Sequence, residues 1–176
     1  MSEHLERSTE ALKTALQMEI EGKDFYQKSG DSSTNPLAKK LFLHLAEQED
    51  VHYQKISEIF EAVTSRREWP EKETVLRHDT SLRSVFKEAI ESMGKNASAS
   101  SSELAAMKTA MVMEDRSYSF YRSRGEEAAS HAEKAFYQAL TAEERVHYLT
   151  LVDSYDYLSD PQGWFTKSEH WGLDGA

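Results

Sequence analysis

The chain repeats itself. Shifted by 95 residues, ALKTALQME (11–19) lies on AMKTAMVME (106–114), Phe25-Tyr26 on Phe120-Tyr121, Gly30 on Gly125, and EDVHY (49–53) on ERVHY (144–148). Without a gap, 15 of the 43 positions from Ala11 to Tyr53 are identical to their counterparts. Amphipathic segments share composition, so scattered matches carry little weight. A register kept through two helical stretches and the turn between them is harder to reach by chance, and it predicts two copies of one supersecondary unit related by an approximate two-fold.

The unit is a helical hairpin. Apolar residues recur at three- and four-residue spacing, and strand-like alternation is missing. The breakers sit between long uninterrupted stretches: Pro36, Pro70 and Pro161, with Gly30, Gly94, Gly125, Gly163, Gly172 and Gly175; only Gly22 falls inside one. Four long helices are expected, over about residues 3–29, 36–65, 102–125 and 127–158. Asn35 is the N-cap of the second, with Pro36 at its first position, and Glu103 lies in the first turn of the third. Residues 66–101 form one long connection holding Trp69-Pro70, a short amphipathic helix capped by Ser81 (82–93), and the serine-rich run NASASSS, expected to be a flexible connector. Two tight turns and one crossover make an all-α four-helix bundle over residues 1–160, with 161–176 as an aromatic tail docking on the bundle or on a second subunit.

With 176 residues the chain suits one domain. Cysteine is absent, which excludes disulfides, zinc ribbons, iron–sulfur clusters and thiol nucleophiles. The formal net charge of −10 repels nucleic acid and favours small cations. No apolar run approaches a membrane span, and MSEHLERSTE does not read as a signal, so a cytoplasmic protein is expected.

Chemistry concentrates where the repeat is strictest. Glu-x-x-His occurs at Glu49/His52 and again at Glu144/His147, in equivalent places, and that spacing puts both side chains on one helix face. Glu19 and Glu114 are a third matched pair, each on a stripe of apolar or small neighbours. A lone carboxylate there would cost several kcal/mol of desolvation. Four carboxylates and two imidazoles turned inward therefore call for cations, and two divalent ions balance four negative charges.

This constellation resembles the ferritin-like di-iron carboxylate proteins, in which two helices give one Glu each and two others give Glu-x-x-His. Length, repeat, single crossover and the MExxxxxFY runs at Met18–Tyr26 and Met113–Tyr121 make the chain most similar to the rubrerythrin family. The resemblance implies two iron ions per chain, with manganese or zinc as substitutes. It implies Glu49 and Glu144 as bridges, Glu19 and His52 completing one metal's ligands, and Glu114 and His147 the other's. It implies oxidoreductase chemistry on hydrogen peroxide or dioxygen, and a homodimer. With no cysteine to hold a rubredoxin-type iron, the electrons are expected from an external donor protein, such as a rubredoxin-like carrier. Rubrerythrins usually carry a further Glu three residues after the third-helix ligand; here that position is Ser117, the counterpart of Gly22. The six-ligand set equally resembles ferroxidase centres of bacterioferritin type, which makes ferroxidase or iron-storage chemistry the alternative.

Tyr26 and Tyr121, seven residues after Glu19 and Glu114, share the ligand face and either hydrogen-bond ligand carboxylates or simply pack. Gly22 either leaves space over the metals or lets helices approach. Tyr53 and Tyr148 are expected to pack on neighbouring helices. His4, His44, His78, His131 and His170 have no repeat partner and are expected in solvent or capping roles, and Glu143, opposite Gln48, is left outside the site.

Overall fold

A computed structural model describes residues 3–70 and 81–166. Among the described residues the main α-helices run in the order α1 (Glu3–Ser32), α2 (Pro36–Arg66), α3 (Ser81–Met93), α4 (Ser101–Glu127) and α5 (His131–Ser159), with a 3-10 turn at Gly94–Asn96 between α3 and α4. α1 packs along α2 and α4 along α5, and the two hairpins face each other across the bundle, with α3 lying on α2 and α5 as part of the crossover. The fold is the all-α, ferritin-like bundle that the repeat predicts. No described helix is long and apolar enough to cross a membrane.

Three boundaries differ from those expected. α1 does not stop at Gly30 but runs through it to Ser32. Gly30 is needed for closeness rather than for termination: a Cβ there would lie 2.7 Å from Leu43 Cδ2 on α2. α4 likewise passes Gly125, and α5 begins at His131 because Ser130 is its N-cap, accepting from the Glu133 N–H. Ser130 is the repeat partner of Asn35, which caps α2 by accepting from the Ala38 N–H. The serine-rich run is no loose tether either. Ser98 O accepts from Asn35 Nδ2 at 2.7 Å, Ala97 is buried, and Ser100 caps α4 in a capping box with Glu103.

The interior has two apolar ends. One gathers Tyr26, Leu41, Phe42, Leu45, Met107 and Tyr157 around Leu82 of α3. The other gathers Leu12, Ile56, Tyr121, Phe136, Tyr137 and Trp69, the last from the segment after α2. Trp164 and Phe165, in a helical turn at 161–166, pack edge-on against Tyr157 of the same chain, and Trp164 also meets Phe86 of α3. Trp171, His78 and His170 lie outside the described residues.

Candidate metal centre

Between the two apolar ends the core turns polar. Glu19 of α1, Glu49 and His52 of α2, Glu114 of α4, and Glu144 and His147 of α5 are all buried, none more than 5% exposed. The helical period explains the selection: each sits on the inward stripe of its helix, and the Glu-x-x-His spacing stacks both side chains of α2, and both of α5, over one turn. All six expected residues come together. They form two overlapping groups, Glu19, Glu49, His52 and Glu144, and Glu49, Glu114, Glu144 and His147, each offering ligand atoms within 4.8 Å of one another. Glu49 and Glu144 belong to both groups.

The polar atoms point at shared space. His52 Nδ1 stands 3.4 Å from Glu19 Oε2 and 3.3 Å from Glu144 Oε1; His147 Nδ1 stands 3.6 Å from Glu114 Oε2 and 3.5 Å from Glu144 Oε2. The imidazoles lie parallel, 5.5 Å apart. Glu19 Oε2, both oxygens of Glu144, and the Nδ1 atoms of both histidines are buried with no hydrogen-bond partner among the described residues. Buried polar atoms without partners are rare, because each costs its full desolvation. Five of them converging from four side chains, with Glu49 and Glu114 beside them, fit a pair of cations, and carboxylate oxygen with some imidazole suits iron or manganese.

Electrostatics agree. Burial, then the neighbouring Glu19, pushes the Glu49 carboxyl well above its usual range. Burial and the Glu144 charge push Glu114 up to about 8. Burial also opposes ionisation of Glu144, yet both histidines face it and hold it below the ordinary value. Desolvation would depress the imidazoles, but Glu144 and Glu19 raise His52 well above its usual range, and Glu114 and Glu144 carry His147 up to about 10. With no cation present, protons supply the positive charge, and an ion that binds must displace them.

The tyrosines cross the repeat. The Tyr26 hydroxyl donates to Glu114 Oε1 and the Tyr121 hydroxyl to Glu19 Oε1, so each phenol holds the carboxylate of the opposite hairpin. Burial and those carboxylates raise both phenols far above their ordinary value, which keeps them protonated donors. The second oxygen of each glutamate remains turned toward the histidines. Gly22 serves this arrangement: a Cβ there would meet Glu49 Cδ and Oε2 at 3.3 Å, so its smallness makes room for a candidate ligand. Ser117 is half-buried.

Other expectations need correction. Tyr53 turns to solvent at 36% exposure instead of packing on a neighbour. His4 is not free at the surface: its Nε2 meets Glu133 Oε2 at 3.0 Å, and His44 Nε2 meets Ser81 Oγ at 2.7 Å. Three buried glutamates went unremarked as core groups, namely Glu103, Glu133 and Glu143. Glu103 accepts from the backbone of Thr34, Asn35 and Ser100. Glu133 accepts from Ser8 Oγ and the Ala129 N–H. The Ser-x-x-Glu pattern at Ser100 and at Ser130 was the signal that could have found the first two.

Residues 10–155 match the family model described as Rubrerythrin. Among curated proteins none matches the sequence. A solved structure of a hypothetical protein from Pyrococcus furiosus is similar, with a TM-score of 0.60 and 21% identity over 85% of this chain and 89% of that one; at that identity the likeness shows the fold.

Proposed function

This chain belongs to the rubrerythrin family, and we propose that it is a di-iron oxidoreductase reducing hydrogen peroxide, with electrons from an external donor protein. One observation carries the reading: five partnerless polar atoms from Glu19, His52, Glu144 and His147 converge in a buried space bordered also by Glu49 and Glu114. Glu49 and Glu144, common to both groups, would hold both ions; Glu19 with His52, and Glu114 with His147, would complete one ion each. Iron bound there would supply two electrons and a Lewis acid, matching the two electrons a peroxide takes up.

The chain's own part is positioning. Tyr26 and Tyr121 fix one oxygen of Glu114 and Glu19 and leave the other for a metal. The two apolar ends keep water from the centre, which strengthens every charge interaction inside it. Ser117, too short to act as a carboxylate does, leaves the halves with matched candidate ligand sets, so His52 and His147 would each stay available to one metal. That same six-residue set favours the second reading, ferroxidase chemistry in iron handling.

Anaerobic iron loading followed by stopped-flow mixing, with peroxide and dioxygen in separate runs, tests the choice. Two irons per chain and faster oxidation by peroxide are expected. Fewer than two irons, or a faster reaction with dioxygen, would reject peroxide reduction. Gel filtration is expected to give a dimer; a particle of cage size would favour storage.

A further inference from the structure

The two halves treat one position differently. Offset by 95 residues, Phe42 and Tyr137 occupy the same place. Each ring stacks on the tyrosine that bonds a candidate ligand: Phe42 on Tyr26 with centroids 6.3 Å apart, and Tyr137 on Tyr121 with centroids 6.2 Å apart. Packing asks only for a six-membered ring, and the first half supplies a plain one. The second half adds a hydroxyl that is buried with no hydrogen-bond partner among the described residues. Burying an unpaired hydroxyl costs free energy, so packing does not account for it.

Beyond Tyr137 the row of rings continues. Trp69 lies 5.9 Å from it, centroid to centroid, and forms part of the wall of a surface cavity of about 540 Å³ beside Leu5, Arg67 and His131. At the inner end the Tyr121 hydroxyl already touches Glu19. The second half thus joins the candidate centre to the surface through three rings that can be oxidised. In the first half the row meets Phe42 and then Phe25, and phenylalanine is far harder to oxidise.

We propose that Tyr121, Tyr137 and Trp69 form a one-electron path between the candidate metal pair and the cavity beside Trp69. The path rests on the di-iron reading for its purpose, though not for its existence. Tyr121 gives an electron inward to the oxidised pair, and its phenolic proton moves along the existing hydrogen bond to Glu19. Trp69 then reduces the Tyr121 radical across the Tyr137 ring, and the proton returns. A small one-electron carrier protein docking at the cavity is oxidised as it restores Trp69. One electron passes from carrier to metal pair, and no proton is left on the path. Tyr137 has no acceptor for its own proton among the described residues, so it serves as a bridge rather than a resting place for the radical; its oxygen makes the ring a better bridge than phenylalanine.

The test uses light and the full chain, zinc-loaded in one arm and metal-free in the other. Tryptophan is photo-oxidised with hexaammineruthenium(III) as acceptor, and transient absorption follows decay of the indole radical and rise of a phenoxyl radical. The expected result is a phenoxyl phase that disappears in Trp69→Phe and in Tyr121→Phe. In Tyr137→Phe, which loses only a partnerless hydroxyl and so keeps its fold, the phase slows by about tenfold or more. Trp164→Phe, in the aromatic cluster around Tyr157, leaves it unchanged. A phase that survives Tyr121→Phe, or keeps its rate in Tyr137→Phe, overturns the path. Failure to bind metal would sink the di-iron reading while leaving this measurement intact, and a two-metal protein without the phase would sink the path alone.

Discussion

The two hairpins spend their carboxylates alike at the centre and differently at the ends. At the centre each gives one lone Glu and one Glu-x-x-His, in strict register. At the ends the register breaks. The turn before α2 is held by Glu103, which reaches over from α4 of the opposite hairpin. The turn before α5 is held by Glu133 of α5 itself, which reaches back to Ser8 on α1. Ser8 is the repeat partner of Glu103, and Ala38 that of Glu133, so each contact pairs one carboxylate with one smaller residue, and the halves have swapped which side supplies it. A turn needs one acceptor for its N–H groups and is indifferent to where it comes from. A pair of cations would need four carboxylates at fixed places, and substitution there would have no equivalent alternative.

The largest effect should come from testing whether the central symmetry is energetic as well as geometric. Glu144 takes close contacts from both imidazoles, whereas Glu49 meets only His147, at 3.8 Å. Glu144→Gln is therefore expected to lose both metals, Glu49→Gln to weaken both, and Glu19→Gln or Glu114→Gln to lose mainly one, as counted by elemental analysis after anaerobic loading. Metal in thousandfold excess over its Kd adds about 4 kcal/mol to the folded state, so the melting temperature of Glu144→Gln should stop responding to metal. Equal losses in Glu144→Gln and Glu49→Gln would mean that the two bridging positions are interchangeable.

Next come the ends. Glu103 accepts three backbone N–H groups, and these outweigh the effect of burial and hold its carboxyl at about 2, against an ordinary value of 4.5. Glu103→Gln should cost about 2 kcal/mol, and Glu133→Gln, with one backbone donor, about 1 kcal/mol. The sign with pH follows from the lowered value. A carboxylate held below its unfolded value stabilises fully above about 4.5, and that stability drains away as pH falls toward 2. Denaturant melts at pH 7 and pH 3 should show the gap between wild type and Glu103→Gln shrinking at the lower pH. A constant gap would mean the side chain acts by packing, and equal costs at both ends would erase the asymmetry.

A subtler probe is the pair Gly22 and Ser117. Gly22→Ala sets a methyl 3.3 Å from Glu49, tight enough to move the carboxylate by a few tenths of an ångström. Metal affinity should fall by several-fold, a change of about 1 kcal/mol, while Ser117→Ala should leave it in place. Titration with a competing chelator separates the two; a matched response from both would show that the neighbourhood of Glu49 is not special.

These contrasts also mark what could be read in the residues. The repeat, the N-cap at Asn35, the crossover and the six inward side chains were legible because each leaves a periodic or duplicated trace. The start of α5 was not, although Ser130 lies opposite Asn35, because Gly125 reads as a stop and α4 runs through it to Glu127. Glu103 and Glu133 were only half legible: Ser-x-x-Glu marks both as cap partners, but they sit at unmatched positions of the repeat, and only packing brings them Thr34, Asn35 and Ser8 as donors. Which tyrosine holds which glutamate depends on how the hairpins face each other, and no spacing within one helix encodes that.

The smallest effect is that of Tyr137→Phe, at the place where one half has Phe42 and the other Tyr137. If packing alone governs it, the two rings are interchangeable and each swap should be neutral. The buried, partnerless hydroxyl says otherwise. Tyr137→Phe removes a polar group that has been desolvated for no hydrogen bond, so stability should rise by about 0.5–1 kcal/mol. Phe42→Tyr does the reverse: it brings a hydroxyl into a completely buried place beside Tyr26 and Leu41, and should cost about 1–2 kcal/mol. Guanidinium melts of the two single variants and the double swap would read these values. A fall in stability for Tyr137→Phe would mean that the hydroxyl has a partner after all, such as an ordered water, and would remove the stability argument for a role beyond packing. A rise, with the fold intact, would mean that this half of the molecule keeps a group its own packing disfavours.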